Sequence, residues 1–326
     1  MMWLQEMNDV RILFFEGAPG AGKSCLSQHL ARQLEASGRC VYWLEEHELN
    51  EAVFAPFHAQ VGSGEGAAIT SLLVCWQSLL ARIDRSADIL CLDGAFFHST
   101  IKVLLAHGVS RPGIDAYLKA LYPLLARFRP CLIHLVCDVA RVLQETIAER
   151  GHAWAALVAA DVADYPVQRA AQQTGESGLI AFFVESQLQL ATFATAYPFA
   201  RLRIDTTARD WAGYQAALCT ALGVQPDEPV RFEDCLAQYT GIYQPPDGFP
   251  EAYRQPFQVE LVGDELRLHM GFTRNFRLEP LARNRFAIIG RPLEIEFVRD
   301  DEGQVCSAIY PFVPDRRFVC ERLVTT

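Results

Sequence analysis

The sequence predicts an α/β domain with a parallel sheet flanked by helices, followed by a small antiparallel β-barrel or sandwich. Three observations predict it. Short apolar runs alternate with longer helix-like stretches over the first two thirds of the chain. Those runs are apolar along their whole length, as strands buried on both faces must be. Beyond about residue 223 the pattern changes to short strands at roughly 8–12-residue spacing, separated by turn residues. A chain of 326 residues also suggests two domains, at roughly 150 residues each.

The predicted parallel strands are Arg11–Glu16, Cys40–Leu44, Ile89–Asp93, Cys131–Val136 and Arg201–Asp205. Between them the spacing predicts helices over Lys23–Ser37, closed by Gly38, then Ala68–Ile83, Ile114–Phe128, Val139–Glu149, Leu179–Ala194 and Trp211–Leu222. In Leu179–Ala194 the residues Phe182, Phe183, Leu188 and Leu190 are mostly spaced to share a face, which is ordinary core patterning. Gly223-Val-Gln-Pro-Asp-Glu-Pro229 reads as a linker, because two prolines and two acids follow a helix. The organisation is therefore residues 1–222 as the α/β domain, 223–229 as linker and 230–326 as the all-β domain. Strands in the latter are expected at Tyr239–Tyr243, Phe257–Val262, Glu265–Met270, Arg285–Ile289, Leu293–Val298, Val305–Tyr310 and Phe318–Leu323. Val262–Glu265 and Arg299–Gly303 have the composition of hairpin turns.

Composition excludes several classes. Hydrophobic residues at 51% and charged residues at 21% exclude a disordered or collagen-like chain. Lys+Arg 29 against Asp+Glu 39 gives a net charge of −10, which argues against nucleic acid as a partner. None of the ten cysteines forms a C-x-x-C pair, so neither a zinc site nor a disulfide framework is expected. The first nine residues lack a basic start and an apolar stretch, and no apolar run approaches the ~20 residues of a membrane span. A cytoplasmic protein without a membrane partner is the expectation, with room left for a homodimer.

Gly17-Ala18-Pro19-Gly20-Ala21-Gly22-Lys23-Ser24 matches G-x-x-x-x-G-K-[ST], follows an apolar strand and opens a helix. Glycines let backbone N–H groups wrap phosphate oxygens, and the helix N-terminus adds positive potential. The nucleotide-binding set is thus residues 17–24 with Cys25 behind them. Lys23 is expected to reach the β and γ phosphates of ATP, and Ser24 to ligate Mg²⁺. Asp93 ends an apolar strand, where ligands collect in open α/β sheets, and is the second candidate for the magnesium. Glu45, Glu46 and Glu48 follow the second strand, where a carboxylate could orient and deprotonate an attacking hydroxyl. Neighbours on a strand face opposite ways, so Glu45 and Glu46 stay equal candidates for the base. Arg150 before Gly151, with Arg141 nearby, suits a mobile lid over the transferred phosphoryl group.

On Glu16–Ser24, Trp43-Leu-Glu-Glu46, Leu92-Asp-Gly94, Arg150 and Ile204-Asp-Thr-Thr207, residues 10–222 resemble P-loop kinases of the nucleoside and nucleotide kinase group. The likeness is strongest to the deoxynucleoside-kinase and thymidylate-kinase branch. It implies a P-loop NTPase fold, Glu46 or Glu45 as catalytic base, and a lid arginine at Arg150 or Arg141. It also implies a segment bordering the adenine at Thr206 and Thr207. The Glu-Arg-Ser of deoxynucleoside kinases is replaced by Asp93-Gly-Ala-Phe-Phe-His-Ser99, and the Asp-Arg pair of thymidylate kinases is missing. The tail, through Leu236–Tyr243 and Leu293–Val298, resembles a small β-barrel module attached to some penicillin-binding-protein-like serine hydrolases, without a nucleophile constellation.

The expected function is ATP- and Mg²⁺-dependent phosphorylation of a hydroxyl on a small molecule. Residues 45–51 hold four glutamates and no lysine or arginine, so a neutral or cationic acceptor is expected: a nucleoside, a sugar-like alcohol, an amino alcohol or an antibiotic. The alternative is a nucleotide-dependent ATPase switch whose β domain binds a partner. The Asn-Lys-x-Asp motif of GTPases and the Leu-Ser-Gly-Gly-Gln signature of transporter ATPases are both missing. Sulfuryl transfer is a third, minor option.

Overall fold

A computed structural model describes residues 9–86, 89–225, 235–251, 254–271, 273–313 and 316–323. Chain contacts divide it into two compact units, residues 1–146 with 155–227, and residues 147–154 with 228–326. Residues 226–229 of the expected linker and residues 1–8 lie outside the described residues.

In the first unit β1 (Ile12–Glu16), β2 (Val41–Leu44), β3 (Ile89–Asp93), β4 (Pro130–Val136) and β5 (Ala200–Asp205) form a parallel sheet in the order β2-β3-β1-β4-β5. Helices α1 (Lys23–Ala36), α2 (Glu65–Ser86), α3 (Arg111–Ala126), α4 (Val139–Arg150), α5 (His152–Ala163), α6 (Gly175–Thr195) and α7 (Trp211–Ala221) complete the main elements of the chain's α/β part. Alternate residues of the central strands feed two cores. Ile12, Phe14, Leu90 and Leu92 pack with α2 and α3, whereas Leu13, Phe15, Cys91 and Ile133 pack with α1 and α7. Continuous apolar strands are the consequence of covering both faces. The edge strands differ: β5 alternates half-buried and exposed positions, and Tyr42 of β2 is exposed.

Register sets where chemistry can sit. Leu44 pairs with Leu92, and Phe15 pairs with Asp93. The chain therefore leaves β1, β2 and β3 at one carboxyl edge, carrying Glu16, Glu45 with Glu46, and Asp93. Because β1 lies between β3 and β4, its exit is the point where the strand order reverses, the usual ligand crevice of open α/β sheets.

Three expectations change. Leu188 is 64% exposed and lies off the buried stripe, because the five residues separating it from Phe183 turn a helix by about 140° past a full turn. The stripe uses Leu179, Phe182, Phe183, Ser186, Leu190 and Phe193 instead. Short helical segments at Glu46–Glu48, Leu49–Val53, Ala55–Gln60, Phe97–Ala106 and Pro166–Ala171 were not anticipated. Finally, Glu65–Ile83 of α2 is long and apolar enough by composition to cross a membrane. Its residues Ala68, Leu72, Trp76, Leu79 and Leu80 are spent on the sheet's core.

The second unit is a closed barrel of eight antiparallel strands, β6 (Gly241–Gln244) through β13 (Arg316–Leu323), each paired with its neighbours in sequence and β13 closing on β6. The intervening strands are β7 (Phe257–Val262), β8 (Glu265–Met270), β9 (Thr273–Ala282), β10 (Arg285–Ile288), β11 (Glu294–Arg299) and β12 (Val305–Val313). Only an even number of up-and-down strands can close with every pair antiparallel. The strand not foreseen is β9, whose Pro280 lacks an N–H and whose Asn275 has positive φ. A register shift between Arg285 and Phe286 on β10, beside Pro280, accommodates it. Inside, Tyr239, Tyr243, Phe257, Phe286 and Phe297 form the aromatic centre, with Tyr243 donating to the Tyr239 carbonyl at 2.7 Å.

Trp76 joins α2 to the sheet, edge-on to Phe14 at 5.9 Å and donating from Nε1 to Tyr117 Oη at 2.7 Å. Trp76→Ala leaves a cavity and removes one of the hydrogen-bond partners of the buried Tyr117 phenol, so denaturant unfolding is expected to show a loss of ~3–5 kcal/mol. A loss below ~1 kcal/mol would contradict this packing.

Candidate functional site

The loop from β1 to α1 is shaped by close approach. Gly20 and Gly22 have φ of 82° and 92°, in the left-handed region. A Cβ on Gly20 would lie 2.0 Å from Thr146 Oγ1 of α4, and one on Gly22 would lie 2.3 Å from the Trp211 ring at the start of α7. Gly17 is equally confined, 2.6 Å from the Leu135 carbonyl. Gly22, the N-cap of α1, offers no side-chain cap, and a helix N-terminus of this kind carries positive potential toward the loop. Ala18, Pro19, Ala21 and Cys25 complete the loop and first turn, with Ala18 and Ala21 buried and the Ala21 amide donating to the Ala18 carbonyl at 3.1 Å.

Around this cradle the structure buries Glu16, Lys23, Asp93, His98 and Lys102, with Glu46 half-buried beside them. Lys23 Nζ donates to the Ala18 carbonyl at 3.4 Å. Glu16 accepts the backbone N–H groups of Phe96 at 2.5 Å and His98 at 3.1 Å, stapling the segment after β3 to the end of β1. Its burial pushes its pKa up to about 7, against the lowering effect of those amides and of Lys23. Asp93 is buried and likewise raised to about 7 by desolvation, with Lys23 opposing and Glu46 reinforcing the shift. The Ser24 hydroxyl donates to this carboxyl group, while Asp93 Oδ1 has no hydrogen-bond partner.

That unpartnered oxygen beside a hydroxyl, next to a cradle that excludes side chains, fits a divalent cation carried with phosphate. Among the described residues no group of three or more His, Cys, Asp or Glu side chains could hold a metal alone. Ser24 and Asp93 would therefore share the ion with phosphate oxygens.

The two glutamates after β2 separate. Glu45 is buried and caps the following turn, its Oε1 accepting the Glu48 N–H at 3.0 Å. Glu46 turns the other way, and its Oε1 lies 2.8 Å from His98 Nε2, with 39% of the side chain exposed. Burial of the carboxylate raises its pKa, but the adjoining His98, with the charges of Lys23 and Lys102, holds it well below the usual range. Glu46 is thus ionised. Of the four glutamates in residues 45–51, Glu46 is the one whose charge is coupled to both lysines. Glu48 and Glu51 are exposed.

His98 and Lys102, four residues apart on the helical segment after β3, were missed from sequence. The i, i+4 spacing immediately downstream of Asp93-Gly94 was the available signal. His98 Nε2 also lies 2.9 Å from Lys102 Nζ, and the His98 ring is nearly parallel to that of Phe183 (7°, centroids 6.0 Å). Burial pushes His98 down to about 4 and Lys102 down to about 8.

The remaining candidates lie elsewhere. Arg141 is exposed on the first turn of α4 and pairs through Nε with Glu145 Oε1 at 2.8 Å, while Glu145 also meets Arg209 at 3.4 Å. The same helix rests on Gly20 through Val142 and Thr146. Arg150 ends α4 with its guanidinium 5.0 Å from the Trp154 ring centre, within the segment counted with the second unit. Thr206 is buried and its hydroxyl bonds the Val136 carbonyl at 3.4 Å, tying the end of β5 to that of β4. Thr207 Oγ1 accepts the Asp138 N–H at 3.3 Å.

A family profile described as Nephrocystin 3, N-terminal, matches residues 1–86. No protein of curated function matches the chain. Among solved structures, deoxyadenosine kinase from M. mycoides with bound dCTP is 12% identical, with a TM-score of 0.38 over 66% of this chain and 99% of that one. The same enzyme with bound dATP is 15% identical, with a TM-score of 0.38 over 66% and 100%.

Asp93 gives a pH test. Burial holds the folded carboxyl's pKa up at about 7, against about 3.9 for an exposed aspartate, so the wild-type protein without nucleotide loses stability from this group as pH rises between those values. Asp93→Asn keeps an acceptor for Ser24 and removes the charge. Thermal unfolding is expected to show the variant gaining on wild type across that window. Parallel curves would contradict the burial of an unpaired Asp93 charge.

Proposed function

We propose that the chain is an ATP- and Mg²⁺-dependent kinase that transfers the γ-phosphoryl group to a hydroxyl of a small, neutral or cationic molecule, acting in the cytoplasm without nucleic acid or membrane. The observation that carries this is the ionised Glu46 carboxylate, held by His98 in one electrostatic cluster with Lys23 and Asp93. A carboxylate fixed at the mouth of the loop can accept a hydrogen bond from an acceptor hydroxyl and aim its oxygen at the terminal phosphate.

The roles follow from placement. The amides of residues 17–25 would cradle the donor's phosphates, and Lys23 would neutralise charge on the β and γ groups. Ser24 and Asp93 would hold magnesium, which when bound supplies further neutralisation of the phosphate oxygens. Glu46 would accept the hydroxyl's hydrogen bond and aim its oxygen. A carboxylate of lowered pKa takes the proton late, which suits a loose transition state in which bond formation lags. Glu45, engaged as a cap, is the lesser candidate. Arg141 would have to leave Glu145 to meet phosphate, and Arg150 would serve as the second lid arginine. Thr206 and Thr207 would shape the wall beside the donor's base.

The neutral or cationic acceptor is supported by Glu46 and by the net charge of −10, although Lys102 offsets part of the local acidity. Nucleosides, sugar-like alcohols, amino alcohols and antibiotics are the classes to screen.

Turnover of ATP with such a panel tests the roles. Lys23→Ala is expected to abolish phosphorylation, and Glu46→Gln to lower kcat by roughly 10²–10⁴-fold. Glu45→Gln keeps an oxygen for the Glu48 amide and is expected to stay within about threefold of wild type. Equal effects of the two glutamine variants would contradict the assignment of Glu46.

A further inference from the structure

His98 has no part in the roles above, yet it is built into the site from every side. It is buried, its backbone amide is bound by Glu16, and its ring lies parallel to that of Phe183 from α6. Lys102 Nζ sits 5.3 Å from the Phe183 ring centre and 2.9 Å from His98 Nε2. The ring thus has few orientations open to it. Its Nε2 faces Glu46 Oε1 at 2.8 Å, while Nδ1 is buried without a hydrogen-bond partner.

Hydrogen-bond chemistry then selects a tautomer. Lys102 Nζ, 2.9 Å away, can donate only to a bare Nε2, whereas Glu46 at 2.8 Å can accept only from an Nε2–H, and the Glu46 charge with the unpartnered Nδ1 selects the second. Placing the hydrogen on Nδ1 would orphan a buried donor and set the Nε2 lone pair against the Glu46 charge. Burial keeps the ring neutral near pH 7, in agreement with this arrangement.

Resting on the kinase function proposed above, we propose that His98, clamped by Phe183 and flanked by Lys102, is the positioning residue that aims and orders the Glu46 carboxylate at the phosphate loop. It touches neither donor nor acceptor. It acts through one N–H···O bond that fixes which carboxylate oxygen is left for the acceptor hydroxyl. Outer contacts of this kind commonly change rates by one to two orders of magnitude.

The full-length protein tests it with two variants at one position. Gln places an amide N–H near the site of Nε2, whereas Phe fills the space without a donor. His98→Phe is expected to lower kcat by roughly 10–100-fold with KM for ATP within about twofold of wild type. His98→Gln is expected to recover most of that loss. In the Glu46→Gln background, His98→Phe should add little, because the group it positions is already disabled. Losses that multiply in the double variant, or a His98→Phe protein with wild-type kcat, would overturn the proposal. Failure of Glu46→Gln alone to lower kcat would instead overturn the role of Glu46.

A second measurement does not depend on turnover. Side-chain ¹⁵N NMR of the histidines is expected to show His98 as a neutral Nε2–H ring whose Nε2 shift moves in Glu46→Gln and whose Nδ1 shift barely changes. A doubly protonated or Nδ1–H ring, or indifference to Glu46→Gln, would overturn the proposal even if no acceptor had been found.

Discussion

The rest of the first unit is organised around a single constraint, the burial of charge at the carboxyl edge of its sheet. Moving an ionised side chain out of water costs several kcal/mol unless partners surround it. Here Glu16, Asp93 and Glu46 face Lys23 and Lys102 within one small region. Glu16 is satisfied by two backbone amides, Glu46 by His98, and Asp93 only in part, through Ser24. Elements that look unrelated follow from this. The pairing of Phe15 with Asp93 sets the carboxylates at one level, and the segment after β3 turns back so that its amides reach Glu16. Apolar packing on both faces of the sheet holds these strand ends in place.

Much of that architecture was legible in the sequence. The glycine-rich loop between β1 and α1, the strand ending in Asp93 and the five strands of the parallel sheet follow from apolar runs and one glycine pattern, whereas the spatial order of those strands does not. What stayed hidden was direction. Glu45 and Glu46 could not be told apart, because the chain leaves β2 and enters a helical turn at once, and the cap made by Glu45 leaves Glu46 as the carboxylate that meets His98. His98 and Lys102 were hidden for a different reason. They lie on a helical segment after β3 where a familiar Glu-Arg-Ser was sought, and their meaning appears only when Glu46, 52 residues earlier than His98, is folded against them. Counting four glutamates near the acceptor likewise overstated the acidity, since Lys102 arrives from another element.

The second unit carries a similar lesson. A barrel or sandwich was foreseen, but β9, which carries Pro280, was not among the expected strands. Closure of the meander needs that strand, and a bulge opposite the proline supplies the tolerance. The barrel's interior is filled by aromatic side chains, so its chemistry, unlike that of the sheet edge, is packing. The ionisable cluster belongs to the α/β unit alone.

The account's central claim is that the donor's terminal phosphoryl group is delivered to a hydroxyl on a small molecule and not to water. ATP carrying ¹⁸O in the γ-phosphoryl group, incubated with magnesium, the full-length protein and uncharged or cationic alcohols, tests it directly by mass spectrometry. The labelled phosphoryl group is expected on an alcohol, in amounts matching the ADP formed. Labelled inorganic phosphate alone, at the same rate with and without every alcohol, would contradict the account and point to an ATPase.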